Sequence, residues 1–154
     1  MISKIESFHD EYRFLSNFWD VTIEYEGVFY HSAEHAFQAA KTLDKEQRLE
    51  MARKKSPGEA NRFGREITLR SDWQDVKVKV MKDVLAAKFR FGDRLAERLV
   101  ETGDAELIEG NTWGDIIWGV CDGVGENLLG RLLMERRALL QSLYTTENKG
   151  VTHG

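Results

Sequence analysis

Hydrophobic and polar positions alternate near the N-terminus and then recur with helical spacing over most of the chain. Val21, Ile23 and Tyr25 occupy every second position before Glu26-Gly27, and aromatic residues follow that glycine. Alternation interrupted by a turn signal predicts a β-hairpin. The helical spacing farther along predicts a mainly helical chain, in which this hairpin is a small N-terminal β element.

Short polar residues predict where three of the helices begin. Ser32 precedes AEHAFQAAKTL, and Asp44 precedes KEQRLEMARKK. Ser56 is followed by Pro57 and, three positions after the serine, by Glu59. A side-chain oxygen at the N-cap accepts a backbone N–H of the first turn, and proline suits the first helical position. We therefore expect helices directly after Ser32, Asp44 and Ser56.

Two longer helices are predicted from apolar residues that recur every three or four positions. The first starts at Ser71 and extends to Gly92, and the second starts near Asn127 and carries a broad leucine stripe to Leu143. This spacing places the apolar side chains on one helix face, which a core can bury. Between these helices, residues 106–110 (ELIEG) predict a brief strand.

Length and composition favour one compact domain. The chain has 154 residues, of which 42% are hydrophobic and 31% charged, with a single proline. A chain of this size can bury a substantial core, so we expect a compact, mainly α, single-domain fold over residues 1–144. The polar sequence that follows predicts a flexible C-terminal tail over residues 145–154.

Charge and cysteine content exclude several classes of protein. The net charge of -4 and a pI near 5.6 exclude a global basic surface for duplex nucleic acid. Cys121 is the single cysteine, which excludes an intramolecular disulfide. The N-terminal sequence has no long apolar run, so neither a signal peptide nor a membrane span is predicted. We expect a cytoplasmic protein without a membrane partner, and the oligomeric state stays open.

A glycine-rich segment, WGDIIWGVCDGVGENLLG at 113–130, raises the question of a phosphate loop. Gly125 and Gly130 have the spacing of a P-loop, but Arg131 and Leu132 stand where lysine and serine or threonine would meet the phosphates. A dinucleotide-binding GxGxxG pattern also fails in this segment. We interpret it as a tight loop that positions side chains.

The segment HSAEH at 31–35 matches a zinc-peptidase pattern in which two histidines of one helix face bind the metal. If Ser32 is the N-cap, however, His31 lies outside the helix and does not share a face with His35 by helical periodicity. A zinc-dependent hydrolase therefore stays as an alternative, and we expect no metal.

The same helix carries Glu34, Gln38 and Lys41 at positions i, i+4 and i+7, beside an apolar face. Such a polar face is typical of a solvated helix surface with ordinary side-chain pairs. It is also the arrangement that would present several polar groups to one ligand. The helix alone leaves both interpretations open.

Other polar residues lie in unusual surroundings. Asn17 lies among aromatic residues, Asp115 lies between two tryptophans, and Arg65 and Arg70 flank a loop before the first long helix. Asn127 starts the last helix, where backbone N–H groups could face an anion. Each residue also has a structural explanation, because buried charges pair and asparagines cap helices.

Taken together, these segments resemble the YbiA-like proteins of the NADAR superfamily. The matching segments occur in family order and span almost the whole chain: FLSNF at 14–18, SAEHAFQAAK at 32–41, GR at 64–65, LRSDW at 69–73, VMKDVLAAKF at 80–89, ETGDAELIE at 101–109, DIIWG at 115–119 and GENLLGRLLMERR at 125–137. Each segment is a weak signal by itself, and their combination is specific.

The resemblance implies a compact, mainly helical fold and an N-glycosidase that acts on ribosyl compounds. One branch of the family cleaves ribosylamino-pyrimidine phosphates of riboflavin synthesis, and another removes ADP-ribose from modified guanine. The implied partner is a small-molecule ribosyl phosphate or an ADP-ribosyl substrate, and an ADP-ribosylated nucleic acid is a further implied partner. No metal or organic cofactor is needed.

The resemblance also implies a set of site residues at matching positions. Glu34 is implied as the principal acid/base or charge-stabilising group, and Asp115 as its helper or as an anchor for ribose hydroxyls. The tryptophans would stack on the heterocycle and the cationic groups would hold phosphate. The implied substrate-binding residues are Asn17, Lys41, Arg65, Arg70, Trp73, Trp118 and Asn127.

A second alternative is a module that binds ADP-ribose or NAD without cleaving it. Two acidic residues favour an enzyme, because a fixed carboxylate can stabilise the positive charge that builds on the sugar when a C1′–N bond breaks. Acidic residues also bind ribose hydroxyls, so the sequence leaves this alternative open.

Overall fold

The computed structural model describes the backbone of residues 2–152 and the side chains of residues 2–148. Its strands are Lys4–Ile5 (β1), Ile23–Tyr25 (β2), Val28–Tyr30 (β3), Glu106–Leu107 (β4), Gly110–Asn111 (β5) and Val120–Cys121 (β6). Its α-helices are Ala33–Ala40 (α1), Lys45–Ala52 (α2), Pro57–Phe63 (α3), Trp73–Lys88 (α4), Arg94–Glu101 (α5) and Leu128–Thr152 (α6). A 3₁₀ helix spans Asp10–Leu15. The fold is mainly α with a few short strands, as the sequence predicts.

The chain forms two compact units. We call residues 17–88 the insert unit, and residues 1–16 with 89–154 the terminal unit. The insert unit contains β2, β3 and α1 to α4, and the terminal unit contains the remaining elements. The prediction of one domain over residues 1–144 stays a prediction.

The hairpin of the insert unit is the one that the alternating pattern predicts. β2 and β3 pair in antiparallel register, with Ile23 opposite Tyr30 and Tyr25 opposite Val28. Glu26 and Gly27, the two residues of the turn, both have positive φ values, of 47° and 86°. Two successive residues with positive φ match the right-handed twist of a tight hairpin. The N-terminal β element is therefore confirmed.

Helix α1 lies at the centre of the insert unit and contacts α2, α3 and α4. All eight of its residues are buried, including the polar ones. Because a buried polar group without a hydrogen bond costs free energy, the polar side chains of α1 need fixed partners. This requirement explains the organisation of the candidate site described below.

The three predicted helix starts are confirmed by hydrogen bonds to their caps. Ser32 Oγ accepts from the backbone N–H of His35 at 3.1 Å. Asp44 Oδ1 accepts from that of Gln47 at 3.0 Å, and Ser56 Oγ from that of Glu59 at 3.1 Å. Each bond satisfies an N–H group that the helix itself leaves unpaired.

The first long helix, α4, ends earlier than its apolar pattern predicts. It stops at Lys88, and the predicted end at Gly92 is wrong by four residues. The Asp93 N–H donates to the Arg90 carbonyl at 3.0 Å and Gly92 has a φ of 93°, so the chain turns here. Phe91, which continues the apolar spacing, is exposed.

The terminal unit joins short parallel strand pairs to two helices. β1 pairs with β4 and β5 pairs with β6, while α5 contacts α6. The brief strand predicted within residues 106–110 is confirmed as β4. Fully buried apolar side chains of this unit include Leu15, Phe89, Leu99, Leu107, Leu133 and Leu140.

The leucine stripe of α6 is narrower than the sequence predicts. Leu129, Leu133 and Leu140 are buried, but Leu139 and Leu143 are 51% and 40% exposed, so their assignment to the buried face is wrong. The helix continues to Thr152, and residues 153 and 154 lie outside the described residues. The flexible tail over residues 145–154 stays a prediction.

Among the described residues, no helix combines the length and the apolar character that crossing a bilayer requires.

Candidate active site

The central feature of the insert unit is a buried carboxylate with one oxygen fixed and the other open. Glu34 is only 8% exposed. Its Oε1 accepts from Gln38 Nε2 at 2.8 Å and from Asn61 Nδ2 at 3.0 Å. Oε2 has no hydrogen-bond partner among the described residues and is not enclosed by them. The carboxylate is therefore oriented through one oxygen, and the other is available to a ligand.

Two helices supply the amide groups that hold Glu34. Gln38 lies one turn after Glu34 on α1, where the i, i+4 spacing brings their side chains together. Asn61 comes from α3, which packs against α1. Gln38 belongs to the polar face of α1 that the sequence predicts, whereas no sequence pattern indicates Asn61. Its contact spans 27 positions, and no local pattern reports a pairing between two helices.

Gly64 provides the space that the Gln38 side chain occupies. A Cβ atom added at Gly64 would collide with Gln38 Oε1 and would lie 2.7 Å from Gln38 Cδ. The φ of Gly64 is -59°, which any residue adopts, so the requirement for glycine is steric. Gly64 therefore supports the Glu34 carboxylate indirectly, by allowing the Gln38 amide to reach it.

Asn17 fixes the start of α1 through its backbone. Its carbonyl accepts from the Glu34 N–H at 3.0 Å, and its Nδ2 donates to the Met81 sulfur at 3.5 Å. The Asn17 Oδ1 atom is buried without a hydrogen-bond partner among the described residues. Asn17 thus contacts the backbone of the central carboxylate residue directly.

Lys41 interacts electrostatically with both Glu34 and Arg65. Burial lowers the pKa of Lys41; the Glu34 carboxylate opposes this change, and the Arg65 guanidinium adds to it. A lowered pKa means that the ammonium group releases its proton more readily than an exposed lysine does. Lys41 therefore links the two other predicted site residues, since it is attracted by Glu34 and repelled by Arg65.

The Arg70 guanidinium is already paired with a carboxylate of the protein, Asp72. Its Nε and Nη2 donate to the two oxygens of Asp72, at 2.6 and 3.1 Å, and its backbone N–H donates to the Lys41 carbonyl at 2.8 Å. The hydrogen bond and charge of Arg70 lower the pKa of Asp72. Arg70 thus secures the end of α1, and a phosphate would have to compete with a carboxylate for it.

Trp73 lies in the core of the insert unit. It is 6% exposed and makes an edge contact with Phe37 of α1, with ring centroids 5.1 Å apart at 61°. This geometry is favourable for aromatic pairs. Most of the ring is therefore used in packing behind α1.

One of the two histidines of the HSAEH zinc pattern, His35, is engaged in hydrogen bonds within the protein. His35 Nδ1 lies 2.7 Å from Ser32 Oγ, and Nε2 lies 2.9 Å from the Lys54 carbonyl. Burial lowers the pKa of His35, which favours a neutral ring that donates through Nε2 and accepts through Nδ1. Both ring nitrogens are then engaged. The described residues contain no group of three or more side chains suited to hold a metal ion.

The remaining predicted residues lie in the terminal unit, where Asp115 organises a turn. Asp115 Oδ1 accepts from the backbone N–H groups of Ile117 and Trp118, at 3.1 and 2.9 Å. Asn111 clamps the backbone of Asp115 from the other side, donating to its carbonyl at 2.8 Å and accepting from its N–H at 3.0 Å. Asp115 and the half-buried Trp118 therefore share one fixed turn.

The backbone N–H groups at the start of α6 are hydrogen-bonded by carbonyl groups of this same turn. The N–H groups of Leu128 and Leu129 donate to the carbonyls of Ile117 and Trp118, at 3.1 and 3.0 Å. The Asn127 N–H donates to the Gly119 carbonyl at 3.3 Å. The prediction that backbone N–H groups at this helix start face an anion is therefore wrong, because carbonyl oxygens of the chain already occupy them.

Asn127 joins β4 to α6 through its side chain. Its Oδ1 accepts from the Glu109 N–H and its Nδ2 donates to the Leu107 carbonyl, both at 2.9 Å. The residue is 8% exposed and has a φ of 54°, a conformation that asparagine tolerates better than most residues. A role in ligand binding stays a prediction, and the side chain already has a structural function.

The sequence-predicted residues thus fall into two groups. In the insert unit, Glu34, Lys41 and Arg65 interact electrostatically, while Arg70 and Trp73 support α1. In the terminal unit, Asp115 and Trp118 form one turn, and Asn127 lies at the start of the helix that follows it.

Comparisons with known proteins identify the family of this chain. Residues 5–141 match the NADAR domain. N-glycosidase YbiA of Escherichia coli (strain K12) is 42% identical over 134 residues, which cover 85% of this chain and 83% of that protein. An N-glycosidase of Nostoc punctiforme is 32% identical over 138 residues, which cover 86% of this chain and 88% of that protein.

Two further likenesses extend this result. A riboflavin biosynthesis protein of Vibrio vulnificus is 38% identical over 135 residues, which cover 86% of this chain and 36% of that protein. The NMR structure of the E. coli protein YbiA has a TM-score of 0.81 and 38% identity, and the match covers 94% of this chain and 89% of that chain. The resemblance seen in the sequence motifs is confirmed: the chain belongs to the NADAR family.

Proposed function

We propose that this protein is an N-glycosidase. It hydrolyses the bond between C1′ of a phosphoribosyl or ADP-ribosyl group and the nitrogen of a heterocycle or amine. Relatives in E. coli and Nostoc punctiforme carry the name N-glycosidase. The observation that carries the proposal is the Glu34 carboxylate, which is buried, fixed through Oε1 by two amides and open at Oε2.

The chemistry of C1′–N cleavage suits such a carboxylate. When the bond breaks, its electron pair leaves with the nitrogen and positive charge builds on C1′ and the ring oxygen. A negative oxygen held in a fixed position in a partly dry site stabilises that charge without having to reorganise. Water then adds its oxygen to C1′, and its proton goes to the departing nitrogen, which balances the hydrolysis. We assign Glu34 Oε2 to stabilise the charge, or to accept the proton from water on its way to the departing nitrogen.

The positive charges near Glu34 suit a phosphorylated substrate. We assign Lys41 and the exposed Arg65 as phosphate-binding groups, because Lys41 interacts electrostatically with Glu34 and with Arg65. Arg70, which is paired with Asp72, is assigned as the residue that holds the end of α1 beneath them. Asn17 is assigned a supporting role through its bond to the Glu34 backbone.

The terminal unit offers its own binding groups. Asp115 has one oxygen in its turn, and we assign the other, Oδ2, as an anchor for ribose hydroxyls or as a catalytic helper. Trp118 is half-buried whereas Trp73 is buried, so Trp118 keeps more ring surface for stacking on a heterocycle. Asn127 would act by holding this turn in place.

The substrate class that we favour is a ribosylamino-pyrimidine phosphate. Relatives in Vibrio vulnificus and maize are named as riboflavin biosynthesis proteins. ADP-ribosylated guanine is the second substrate that we propose to test, because it has the same type of C1′–N bond. We propose the cytoplasm as the compartment.

Mass spectrometry of reaction products tests the function. Wild-type protein is incubated with a ribosylamino-pyrimidine phosphate, ADP-ribosylated guanosine and NAD, beside the Glu34→Gln variant and a control, Glu24→Gln, that changes an exposed carboxylate on β2. We expect a free ribosyl product and a free base or amine with wild type and Glu24→Gln. Binding of these compounds without any product from wild-type protein would indicate a binding module instead.

A further inference from the structure

A cleft of the insert unit lies beside the start of α1, away from the groups that hold the Glu34 carboxylate. Its volume is about 450 Å³, which is within the range of small-molecule sites. Three segments line it: Phe18 and Asp20, then His31 with His35 at the start of α1, then residues 53–55 after α2 with Pro57 at the start of α3. Gln38 and Asn61, which bind Glu34, are not among the lining residues.

The floor of this cleft is a neutral, fixed histidine. His35 is 1% exposed, and both of its ring nitrogens are within hydrogen-bond distance of a partner, Ser32 Oγ and the Lys54 carbonyl. The bond to Lys54 ties the segment between α2 and α3 to α1. Since His35 and Glu34 are adjacent on a helix, their side chains point about 100° apart around its axis. The cleft therefore uses a different side of α1 from the carboxylate.

The segment that supplies the cations is held rigidly. The Lys54 N–H donates to the Met51 carbonyl at 3.1 Å, and the Lys55 N–H donates to Glu59 Oε2 at 3.0 Å. Ser56 caps α3 by accepting from the Glu59 N–H. Glu59 thus reaches back to the residue before the cap, one position earlier than in a standard capping box, and the two bonds fix the backbone on either side of Ser56. The side chains of this segment therefore extend from a backbone whose conformation is already fixed.

Arg53 and Lys55 place uncompensated positive charge at the rim. Both are exposed, and neither forms an ion pair within the part of the chain that the structure describes. Lys54, between them, is different: its ammonium group lies 3.7 Å from Glu50 and over the Phe63 ring at 4.4 Å. In a chain of net charge -4, two such cations at one concavity create a local field that attracts anions, and His31 adds a ring that can hydrogen-bond.

The remaining lining groups indicate what kind of anion fits. Phe18 is 46% exposed and Pro57 lies at the same cleft, so apolar surface borders the cationic rim. Asp20 is the one carboxylate among the lining residues and would repel an anion placed beside it. We propose that this cleft binds the phosphate group of a small phosphate ester, with Arg53, Lys55 and His31 on the phosphate and Phe18 against a flat apolar group.

The proposal is independent of the N-glycosidase function, and its test uses a ligand that has no glycosidic bond. Phenyl phosphate is titrated into the full-length protein at low ionic strength, and binding is followed by amide chemical shifts. Inorganic phosphate and phenol are titrated separately to resolve the contributions of charge and ring. We expect saturable shifts at residues 18–20, 31 and 53–55, with phenyl phosphate binding more tightly than inorganic phosphate and phenol not saturating.

Charge-removing variants complete the test. Arg53→Gln/Lys55→Gln removes both rim cations, and Lys45→Gln/Lys79→Gln removes two exposed cations of the same unit away from the cleft. We expect the first pair to raise the Kd for phenyl phosphate at least about tenfold, and the second pair to leave it within about twofold. Equal weakening in both pairs, shifts confined to Glu34, Gln38 and Asn61, or saturable binding of phenol would each overturn the proposal.

Discussion

Glu34 in the insert unit and Asp115 in the terminal unit are both carboxylates with one oxygen bound by two N–H donors. The donors differ in origin. Glu34 is held by side-chain amides from its own helix and from α3, whereas Asp115 is held by backbone N–H groups two and three residues farther along. Tertiary packing therefore orients Glu34, and Asp115 mainly shapes its own turn. A carboxylate that the fold brings to its partners at the cost of burial is the better candidate for chemistry.

The largest loss of stability is expected at Asn127, behind the turn of the terminal unit. In Asn127→Ala the Leu107 carbonyl and the Glu109 N–H lose their partners, and alanine must adopt a φ of 54°. We expect the free energy of unfolding to fall by about 3 kcal/mol, measured by urea denaturation. Asn127→Gly removes the same hydrogen bonds without the backbone strain. Full stability in this glycine variant would mean that strain, rather than the hydrogen bonds, makes asparagine necessary.

Gly64→Ala is expected to disturb the hydrogen bonds that hold the Glu34 carboxylate. The new methyl group collides with Gln38 Oε1, so the Gln38 amide must leave Glu34. Unfolding free energy should fall by about 2 kcal/mol, and turnover should fall about tenfold or more.

Gly58→Ala, within helix α3 whose C-cap is Gly64, is the matched control, because its methyl group meets other atoms only at 3.7 Å and beyond. Adding Gln38→Ala to Gly64→Ala should restore most of the lost stability, as the collision is then removed. If Gly64→Ala and Gly58→Ala behaved alike in thermal unfolding, the packing of Gln38 against Gly64 would not matter.

Substitutions of Asp115 separate its structural function from its charge. Asp115→Asn keeps an oxygen that can accept from Ile117 and Trp118, so we expect unchanged stability, whereas Asp115→Ala should lose about 1 kcal/mol. If the charge also assists the reaction, turnover by Asp115→Asn should fall about tenfold. If Asp115→Asn turned over substrate at the wild-type rate, the role of Asp115 would be limited to shaping its turn.

The smallest effect is a pH dependence that arises in the insert unit. Because burial lowers the pKa of His35 below its value in the unfolded chain, the unfolded state binds more protons as the pH falls below about 6.5. The stability that neutral His35 contributes is complete above that pH and is lost as the pH falls toward the folded-state pKa. Unfolding free energy measured from pH 7 to pH 5 should decline less in His35→Gln than in wild type.

His9→Gln is the control for this pH series, because His9 is exposed and belongs to the other unit. It should follow the wild-type profile. A His35→Gln profile parallel to that of wild type would show that another group causes the decline.

Local patterns predicted much of the fold. The turn at Glu26-Gly27 and the caps Ser32, Asp44 and Ser56 depend on neighbours within four positions, and all four were predicted correctly. Apolar periodicity was less reliable at helix ends. It continued past Lys88 to Phe91, because spacing reports which residues could share a face and not where the chain turns.

The candidate site was only partly readable from the sequence. The family motifs implied Glu34 as a site residue, which stays a prediction, but they did not indicate the Asn61 amide that fixes it from another helix. The need for glycine at Gly64 is set by a side chain 26 positions away. From the sequence, the backbone N–H groups at the start of α6 could have bound an anion. Only the structure shows that the preceding turn folds back and fills it with carbonyl oxygens.

The most direct test of the account is single-turnover hydrolysis of a C1′–N ribosyl substrate by the Glu34→Gln variant. Glutamine keeps an oxygen that can accept from Gln38 and Asn61, so the fold and substrate affinity should be largely retained, while the negative charge is lost. We predict a rate at least about 100-fold below that of wild type, with substrate Kd changed by less than about threefold. A Glu34→Gln protein that cleaved its substrate at the wild-type rate would contradict the central role of this carboxylate.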